Sequence, residues 1–274
     1  MKLFQRKATL TVDTIQIPDD LRFVFQVEKT LAPEPNTAEI HVFNLNAAHR
    51  AQIEKMKSVP VKLEAGYKEG TSQLFLGDLR TALTVRDGSD LVTTLASGDG
   101  EKAIKGARVN TSFGPNVTAD TVLLALAKAL GVGLGNVPVA ALKLRLSGAA
   151  SMYIGGCAMS GSVARELTDL CDSGDLEWSV QDGNLQIVDR GKALEGTAVL
   201  LTSDTGLLGS PRVDSEGALN GTCLLIPDMR PGRLISVLTE NVKGFYRLER
   251  VQYAGDTQGE EWYITFEAKP VQLV

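Results

Sequence analysis

The sequence contains 274 residues, of which 43% are hydrophobic and 22% are charged, a composition that excludes a disordered chain. Its length is near the upper limit of a single domain and favours two domains or three small ones. The formal net charge of -5 argues against general nucleic-acid binding, which usually needs a basic surface.

The first part of the chain, residues 1–97, is predicted to be mostly antiparallel β structure with one helix. Alternating apolar and polar residues predict the strands, and apolar residues at helical spacing predict the helix at 47–57. The hairpin motif Asp87-Gly88 joins the last two strands, and Gly77 is a candidate bulge or bend. The predicted strands are 8–12, 21–28, 37–45, 61–67, 74–83 and 91–96.

A middle domain of mixed α and β structure is predicted between residues 98 and 191. Two apolar stripes at helical spacing each follow a capping residue and end at a glycine. The motif Asp182-Gly183, the strongest hairpin signal in the chain, then joins two strands. The predicted elements are helix 118–130 with Thr118 as N-cap and Gly131 as its end, helix 162–172 with Ser162 as N-cap and Gly174 as its end, and strands 176–180 and 184–188.

The last part, residues 192–274, returns to β structure with glycine-rich turns. Its final two strands are predicted to form a long hairpin. The predicted strands are 198–201, 219–226, 234–238, 245–253 and 261–269. The fold class is therefore mainly β, with an α+β insert between two β modules.

No side chains form a recognisable catalytic motif. The two histidines, His41 and His49, lie in no motif, and we interpret both as ordinary surface or half-buried residues. The carboxylate pairs Asp19-Asp20 and Glu260-Glu261 are interpreted as solvated charges, because neighbours on a strand point to opposite faces. We therefore predict no catalytic, cofactor-binding or metal-binding residues.

Two further motifs have a structural interpretation. The glycine-rich segment 131–135 follows a helix, whereas a phosphate-binding loop would precede one, so it is interpreted as a helix end and loop. The basic segment Arg230-Pro231-Gly232-Arg233 is interpreted as a tight turn with solvated arginines, although contact with DNA or an acidic partner is an alternative.

Cysteine usage and the N-terminus bear on the cellular setting. Cys157, Cys171 and Cys223 are scattered and odd in number, which argues against a disulfide framework and a zinc site and favours reduced, cytoplasmic assembly. The N-terminus lacks the apolar stretch of a signal peptide. No apolar run is long enough for a membrane span, so no membrane anchor is expected.

Three stretches of the chain have a recognisable pattern. They are VEKTLAPEPNTAEIHVFNLN at 27–46, ELTDLCDSGDLEWSVQDGNLQIVDRG at 166–191 and LLTSDTGLLGSPRVDSEGALNGTCLLIPDMRPGRLISV at 201–237. In this order they resemble phage tail proteins of the baseplate-hub family, and the third is the most specific. This family includes the hubs of T4-like and Mu-like contractile phages and the hub part of type VI secretion spike proteins.

The resemblance implies two tube-like antiparallel β-barrel modules, 1–97 and 192–274, on either side of the middle domain 98–191. It implies a homotrimeric ring of pseudo-sixfold symmetry that connects the tail tube protein, or a tube initiator, to a trimeric tail spike. Baseplate wedge proteins and the tape measure protein are further expected partners. Genomic DNA would pass through the lumen without specific binding.

The expected location is the tail baseplate of the virion, assembled in the host cytoplasm. The resemblance brings no catalytic residues. Because the sequence ends after its last predicted strand, the spike is expected to be a separate protein.

Three other functions remain open from the sequence. One is a tail-associated cell-wall hydrolase, and another is a distal tail or tail-tip protein of a non-contractile phage. The third is a carbohydrate- or receptor-binding module. Such modules usually cluster their aromatic residues, whereas Trp178 and Trp262 are isolated and are interpreted as core or hairpin residues.

Overall fold

The computed structural model describes residues 5–146 and 152–271, with 52% of the chain in strands and 17% in helices. The first part contains β1 (Arg6–Val12), β2 (Ile15–Gln16), β3 (Phe23–Thr30), β4 (Asn36–Phe43), α1 (Ala47–Ile53), β5 (Pro60–Tyr67), β6 (Gly70–Asp87) and β7 (Asp90–Asp99). The middle contains α2 (Glu101–Gly106), β8 (Arg108–Phe113), β9 (Val117–Thr118), α3 (Ala119–Leu130), α4 (Val137–Leu146), β10 (Met152–Tyr153), β11 (Cys157–Ser162), α5 (Val163–Ser173), β12 (Leu176–Gln181) and β13 (Asn184–Asp189). The last part contains β14 (Val199–Leu201), a 3-10 turn (Ser203–Thr205), β15 (Leu207–Val213), β16 (Leu219–Leu224), β17 (Leu234–Leu238), β18 (Lys243–Asp256) and β19 (Trp262–Pro270).

The chain divides into two compact units. The first unit combines the two ends of the chain, and the second holds the middle of the chain with one loop. The first contains Met1–Thr30, Asn36–Asp99 and Lys192–Val274, and the second contains Leu31–Pro35 and Gly100–Gly191.

The first unit is built around one 13-stranded sheet. Its order is β15-β16-β19-β18-β3-β4-β7-β6-β5-β1-β2, with β17 beside β18 and β14 beside β17. All neighbours are antiparallel except β14 and β17. The N-terminal and C-terminal parts of the chain meet where β3 pairs with β18, from Val24 opposite Asp256 to Thr30 opposite Arg250.

Two long strands, β6 and β18, each pair with one strand along their first half and with another along their second half. The first half of β6 pairs with β5, and its second half pairs with β7. The first half of β18 pairs with β17, and its second half pairs with β3. Each strand carries a register shift near the change, at Arg80 in β6 and at Glu249 in β18. Such bulges bend a strand and increase its twist, which lets one strand join two parts of the sheet.

Two details of the β6–β7 hairpin differ from the sequence prediction. Gly77 pairs in register with Val61, so it is not the bulge. A Cβ atom at Gly77 would lie 2.7 Å from the carbonyl oxygen of Gly98, and the glycine is needed for this close approach. The two-residue turn lies between Asp87 and Asp90, with Gly88 at φ +58, one residue later than the predicted motif.

The core of the first unit follows from strand alternation. On β3, Phe23, Phe25 and Val27 are buried, while the residues between them face the other side of the sheet. The Phe25 and Trp262 rings pack edge to face, with centroids 5.6 Å apart. Burying each such side chain stabilises the fold by about 2 kcal/mol, so these strands are held together mainly by apolar burial. Trp262 is a core residue, as predicted.

The second unit packs α3 and α5 with the hairpin β12–β13. Its core includes Leu126 on α3, Leu167 on α5 and Trp178 on β12. The Trp178 indole N–H donates to Thr168 Oγ1 at 3.0 Å, which confirms its predicted core position. The hairpin turn at Asp182-Gly183 is also confirmed, because both residues have positive φ.

The helix boundaries show which capping predictions are correct. Ser162 accepts a hydrogen bond from the Arg165 backbone N–H, and Gly131 ends α3 with φ +79, as predicted. Thr118 holds the N-cap position of α3, but its side chain bonds to Thr121 Oγ1 at 2.9 Å and caps no backbone N–H. None of the described helices is both long and apolar enough to cross a membrane.

The mainly β class is confirmed, but the expected pair of β-barrels is not. Within residues 5–146 and 152–271 no closed barrel is seen, and strands from both ends of the chain share one sheet instead. The reason is the pairing of β3 with β18, which joins the two predicted modules edge to edge. Several elements have no counterpart among the predicted ones: α2, α4, β2, β8, β9, β10, β11 and β15.

Candidate interaction surface

The two histidines lie in different elements and have separate partners. His41 lies on β4, where Nδ1 is 3.0 Å from Thr94 Oγ1 and Nε2 is 3.1 Å from Glu39 Oε1. His49 lies on α1, where Nδ1 is 3.1 Å from Asn46 Nδ2. Among the side chains that the structure describes, no group of three or more His, Cys, Asp or Glu is placed to hold a metal ion.

The two carboxylate pairs are exposed and lie in loops. Asp19 and Asp20 form the turn before β3, and Glu260 and Glu261 precede β19. The contacts that hold these loops use backbone atoms: Arg6 Nη2 donates to the Glu260 carbonyl oxygen at 2.8 Å, and the Asp20 carbonyl oxygen accepts a side-chain amide at 3.1 Å. All four residues are exposed, in agreement with their interpretation as solvated charges.

The glycine-rich segment after α3 packs on the hairpin β12–β13. Gly133 donates its N–H to the Gly183 carbonyl oxygen and accepts the Leu185 N–H, each at 2.8 Å. A Cβ atom at Gly135 would lie 2.2 Å from the Leu185 carbonyl oxygen. The segment ends a helix and anchors it to a hairpin, as its position in the sequence predicts.

The basic turn at 230–233 links separate strands. The Arg233 N–H donates to the Arg230 carbonyl oxygen at 3.1 Å, and Gly232 has φ +86, which confirms the predicted turn. The arginines differ from the prediction of solvated side chains. Arg230 donates to the Gln73 carbonyl oxygen and Arg233 to the Thr197 carbonyl oxygen, each at 3.2 Å.

All three cysteines are free thiols. Burial raises the pKa of Cys171 and of Cys223 to about 12, and burial is also the main cause of the raised pKa of Cys157. Thiolate is the reactive form of cysteine, so these thiols are poor nucleophiles at neutral pH.

The most extended candidate surface is the side of the large sheet opposite the core of the first unit. We call it the polar face and define it on eight consecutive strands, β15-β16-β19-β18-β3-β4-β7 and the Asp78–Asp87 part of β6. Strand register arranges its residues in rows, and its middle forms a groove of about 330 Å³. One row contains Leu208, Thr222, Thr265, Gln252, Glu28 and Thr37. The next contains Tyr263, Ala254, Gln26, Glu39, Ala96 and Thr81.

Glu28 is the centre of a polar network on this face. Arg250 donates to Glu28 Oε1 through Nε at 2.7 Å and also through Nη2, and Gln252 Nε2 donates to Glu28 Oε2 at 3.2 Å. These contacts cross from β18 to β3, the pair of strands that joins the two ends of the chain. Because Glu28 and Arg250 pair with each other, their opposite charges cancel and Arg250 adds no net positive charge to this face.

A second ion pair lies at the end of the same pair of strands. Arg22 Nη2 is 2.6 Å from Asp256 Oδ2, and Arg22 Nε is 3.1 Å from Asp256 Oδ1. The hydrogen bond from Arg22 is the largest cause that holds the pKa of Asp256 below its usual value. The Arg22 guanidinium also lies 4.7 Å from the centre of the Phe43 ring, a favourable cation–π arrangement.

Apart from Phe245, which is 39% exposed at the start of β18, the large exposed apolar residues of the polar face lie on its two outermost strands. Leu83 and Val85 on β6 are 62% and 55% exposed, and Leu208 on β15 is 42% exposed. Their cross-strand partners Thr94, Val92 and Thr222 belong to the polar face, so all three apolar side chains share that side of the sheet. The eight strands therefore have a polar middle and two apolar margins.

No residue of the polar face was predicted from the sequence to belong to a site. Alternation in β3 and β4 indicates which side chains leave the core, and this signal was available. The contacts between β3 and β18 could not be predicted from this signal, because Arg250 and Glu28 are 222 positions apart.

The chain matches a family model described as "Baseplate hub gp41" over residues 6–268, and it therefore belongs to this family of phage baseplate hub proteins. A comparison with curated protein sequences gives no match. The resemblance seen in the three sequence stretches is thus confirmed at the level of the family. Membership also implies a location in the tail baseplate of a phage particle.

Solved structures of tail proteins have the same fold. The 43 kDa tail protein of prophage MuSo2 from Shewanella oneidensis superposes with a TM-score of 0.67 at 11% identity, covering 97% of this chain and 98% of that chain. A tail protein from Neisseria meningitidis MC58 gives a TM-score of 0.65 at 9% identity, with 97% of each chain covered. The Escherichia coli c3393 protein, a type VI secretion component described as similar to the T4 tail proteins gp27 and gp5, gives 0.58 at 11% identity, covering 96% of this chain and 77% of that chain.

Proposed function

We propose that this protein is the structural hub of a contractile phage or phage-like tail. Three copies form a ring that connects the hexameric tail tube to the trimeric central spike and lets DNA pass. The polar face is the wall of the channel. The protein acts mechanically and catalyses no reaction.

One observation carries this proposal: the eight strands of the polar face divide into two sets of four. The set β15-β16-β19-β18 comes from residues 192–274, and the set β3-β4-β7-β6 comes from residues 1–99. Each set continues into smaller flanking strands, β17 and β14 in one case and β5, β1 and β2 in the other. Two similar modules in each of three subunits give the sixfold repeat that a hexameric tube requires.

On this proposal, residues 1–97 and 192–274 act as two tube-like modules, and residues 98–191 form a separate α+β domain. Closure of the β structure takes place in the ring, where neighbouring copies cover the open edges of each sheet. The further partners are the tube protein or a tube initiator, baseplate wedge proteins and the tape measure protein. Assembly takes place in the host cytoplasm.

The charges of the polar face suit a channel for DNA. Glu39 and Glu267 supply negative charge, Arg212 and Lys269 supply positive charge, and Glu28 and Arg250 neutralise each other. Stable binding to DNA depends on unpaired cationic side chains that replace counterions on the phosphates. Because these two cations are matched by two carboxylates in each subunit, we expect the face to hold the duplex only weakly and to let it slide.

The mass of the purified chain in solution tests the proposal. Light scattering is performed on the chain alone and after mixing with the spike protein and the tube protein of the same tail. We expect a trimer, either alone or on mixing. A chain that stays monomeric at high concentration with both partners present would contradict the hub function.

A further inference from the structure

The two outermost strands of the polar face, β15 and β6, differ from the strands between them. Among the described residues, β15 pairs with β16 alone, and β6 from Thr81 onward pairs with β7 alone. Both strands carry exposed apolar side chains on the polar face, Leu208 on β15 and Leu83 and Val85 on β6. Exposed apolar residues at a sheet margin commonly mark a surface that another chain covers.

The direction of the strands fixes how two such margins meet. Every neighbouring pair among the eight strands is antiparallel. Because eight is an even number, β15 and β6 run in opposite directions. When copies are arranged head to tail around a ring, β6 of one copy therefore lies antiparallel to β15 of the next copy. The alternating direction of neighbouring strands then continues from each copy to the next.

We infer that the joint between neighbouring subunits is made by β15 of one copy and the second half of β6 of the next, with Leu208 packed against Leu83 and Val85. This inference rests on the proposed ring and assigns its subunit contact to particular side chains. The occupant of each margin is a second copy of this chain. Three copies then close a continuous ring of three times eight strands.

The position of the apolar residues along the strands agrees with closure. Leu208 lies in the row that reaches β6 at Asp78, whereas Leu83 and Val85 lie further along β6. A sheet closes into a ring only if the strands tilt and the register is staggered. The residue of the next copy that contacts Leu208 is therefore expected to lie further along β6 than Asp78, where the row of Leu208 ends.

Both margins are protected against uncontrolled pairing. The register of β15 is interrupted between Leu208 and Arg212, and Pro211 within this gap has no N–H to donate. On β6, the Thr84 N–H already donates to Glu54 Oε1 at 3.0 Å. The joint accordingly depends on apolar side chains more than on a full ladder of backbone hydrogen bonds, and it disfavours sheet growth with unrelated edges.

Disulfide cross-linking of the full-length chain tests this contact. Leu208→Cys is combined with Leu83→Cys, and separately with Val85→Cys, in a chain that carries Cys157→Ser to remove the one thiol that is not buried. We expect mild oxidation to link chains into covalent trimers and no larger species, because a closed ring uses every site. The matched control combines Leu208→Cys with Leu238→Cys, which is 49% exposed but lies on β17.

A second pair of variants covers the case of an unfavourable disulfide geometry. Leu83→Asp and Val85→Asp change side chains that are exposed in the single chain, so the unfolding temperature measured on dilute, unassembled chains should stay the same. We expect the concentration for half-assembly to rise about tenfold or more, because a charge is placed in an apolar contact. Leu238→Asp is the control and should assemble normally.

The outcomes separate this inference from the hub proposal. If the wild-type chain is trimeric but neither cysteine pair links more than the control and the aspartate variants assemble normally, the assigned joint is wrong and the ring stands. If the wild-type chain is monomeric with spike and tube proteins present, both are wrong. Linked chains without an upper size limit would show an open filament and contradict the closed ring.

Discussion

Arg22 and Asp256 form a two-point ion pair between residues 234 positions apart, with Nη2 to Oδ2 at 2.6 Å and Nε to Oδ1 at 3.1 Å. Arg22 immediately precedes β3, and Asp256 ends β18. The pair thus fastens the end of the strand pairing that joins the N-terminal and C-terminal parts of the chain. Asp256 is almost fully buried, with 8% of its side chain exposed.

Replacing Asp256 by Asn removes the charge and keeps the shape of the side chain. We expect Asp256→Asn to lower the free energy of unfolding by about 1–2 kcal/mol, since a charged hydrogen bond is lost while Arg22 remains partly hydrated. Urea unfolding at neutral pH measures the change. Asp19→Asn, at an exposed turn position, is the control and should change the free energy by less than about 0.5 kcal/mol. Equal effects would show that the ion pair does not matter.

The same pair predicts a dependence on pH. The pKa of Asp256 is lower in the folded chain than in the unfolded chain, where an aspartate has a pKa of about 3.9. The contribution to stability is therefore present above about pH 4 and is lost as pH falls through the lower folded value. The difference in free energy of unfolding between wild type and Asp256→Asn should be constant from pH 7 to 5 and shrink below pH 4. A difference that grows in acid would contradict this assignment.

Two glycines on β6 should respond differently to the same substitution. A Cβ atom at Gly77 would meet the Gly98 carbonyl oxygen at 2.7 Å, whereas a Cβ at Gly70 has no atom within 4 Å. We expect Gly77→Ala to destabilise the fold by about 1–3 kcal/mol through this clash. Gly70→Ala should stay within about 0.5 kcal/mol of wild type. Thermal unfolding of both variants measures the contrast.

The Glu28–Arg250 pair should contribute little to stability despite its central position. The Arg250 side chain is 52% exposed, and exposed ion pairs usually contribute less than about 1 kcal/mol. We expect Glu28→Gln to change the free energy of unfolding by no more than that. Trp262→Ala on the core side of the adjacent strand should cost about 3–5 kcal/mol. Urea unfolding of both variants would reveal a larger role for Glu28 if the two effects were similar.

Local patterns in the sequence predicted the strands whose two sides differ most. On β3 and β4, buried and exposed residues alternate without interruption, and both strands were found close to their observed bounds. α3 and α5 were predicted for the corresponding reason, since each has one apolar side and a capping or terminal residue at each end. In these elements tertiary packing and local preference agree.

The missed elements lack such agreement. β15 contains Gly209 and Pro211, which are typical of a turn, and it is held as a strand by its neighbour β16. The pairing of β3 with β18 is likewise absent from any local pattern. Without it, two separate β modules were the natural expectation from the sequence. The polar face could not be predicted from the sequence for the same reason, since its middle rows combine residues from both ends of the chain.

That shared sheet also has a consequence for biosynthesis. When β3 leaves the ribosome, its partner on one side, β4, follows almost at once, but its partner on the other side, β18, is still to be translated. An unpaired apolar edge is then present for most of the time of synthesis, and contacts of such large sequence separation form slowly. Overproduction in a host should accordingly favour inclusion bodies, and lower temperature or slower translation should raise the soluble yield.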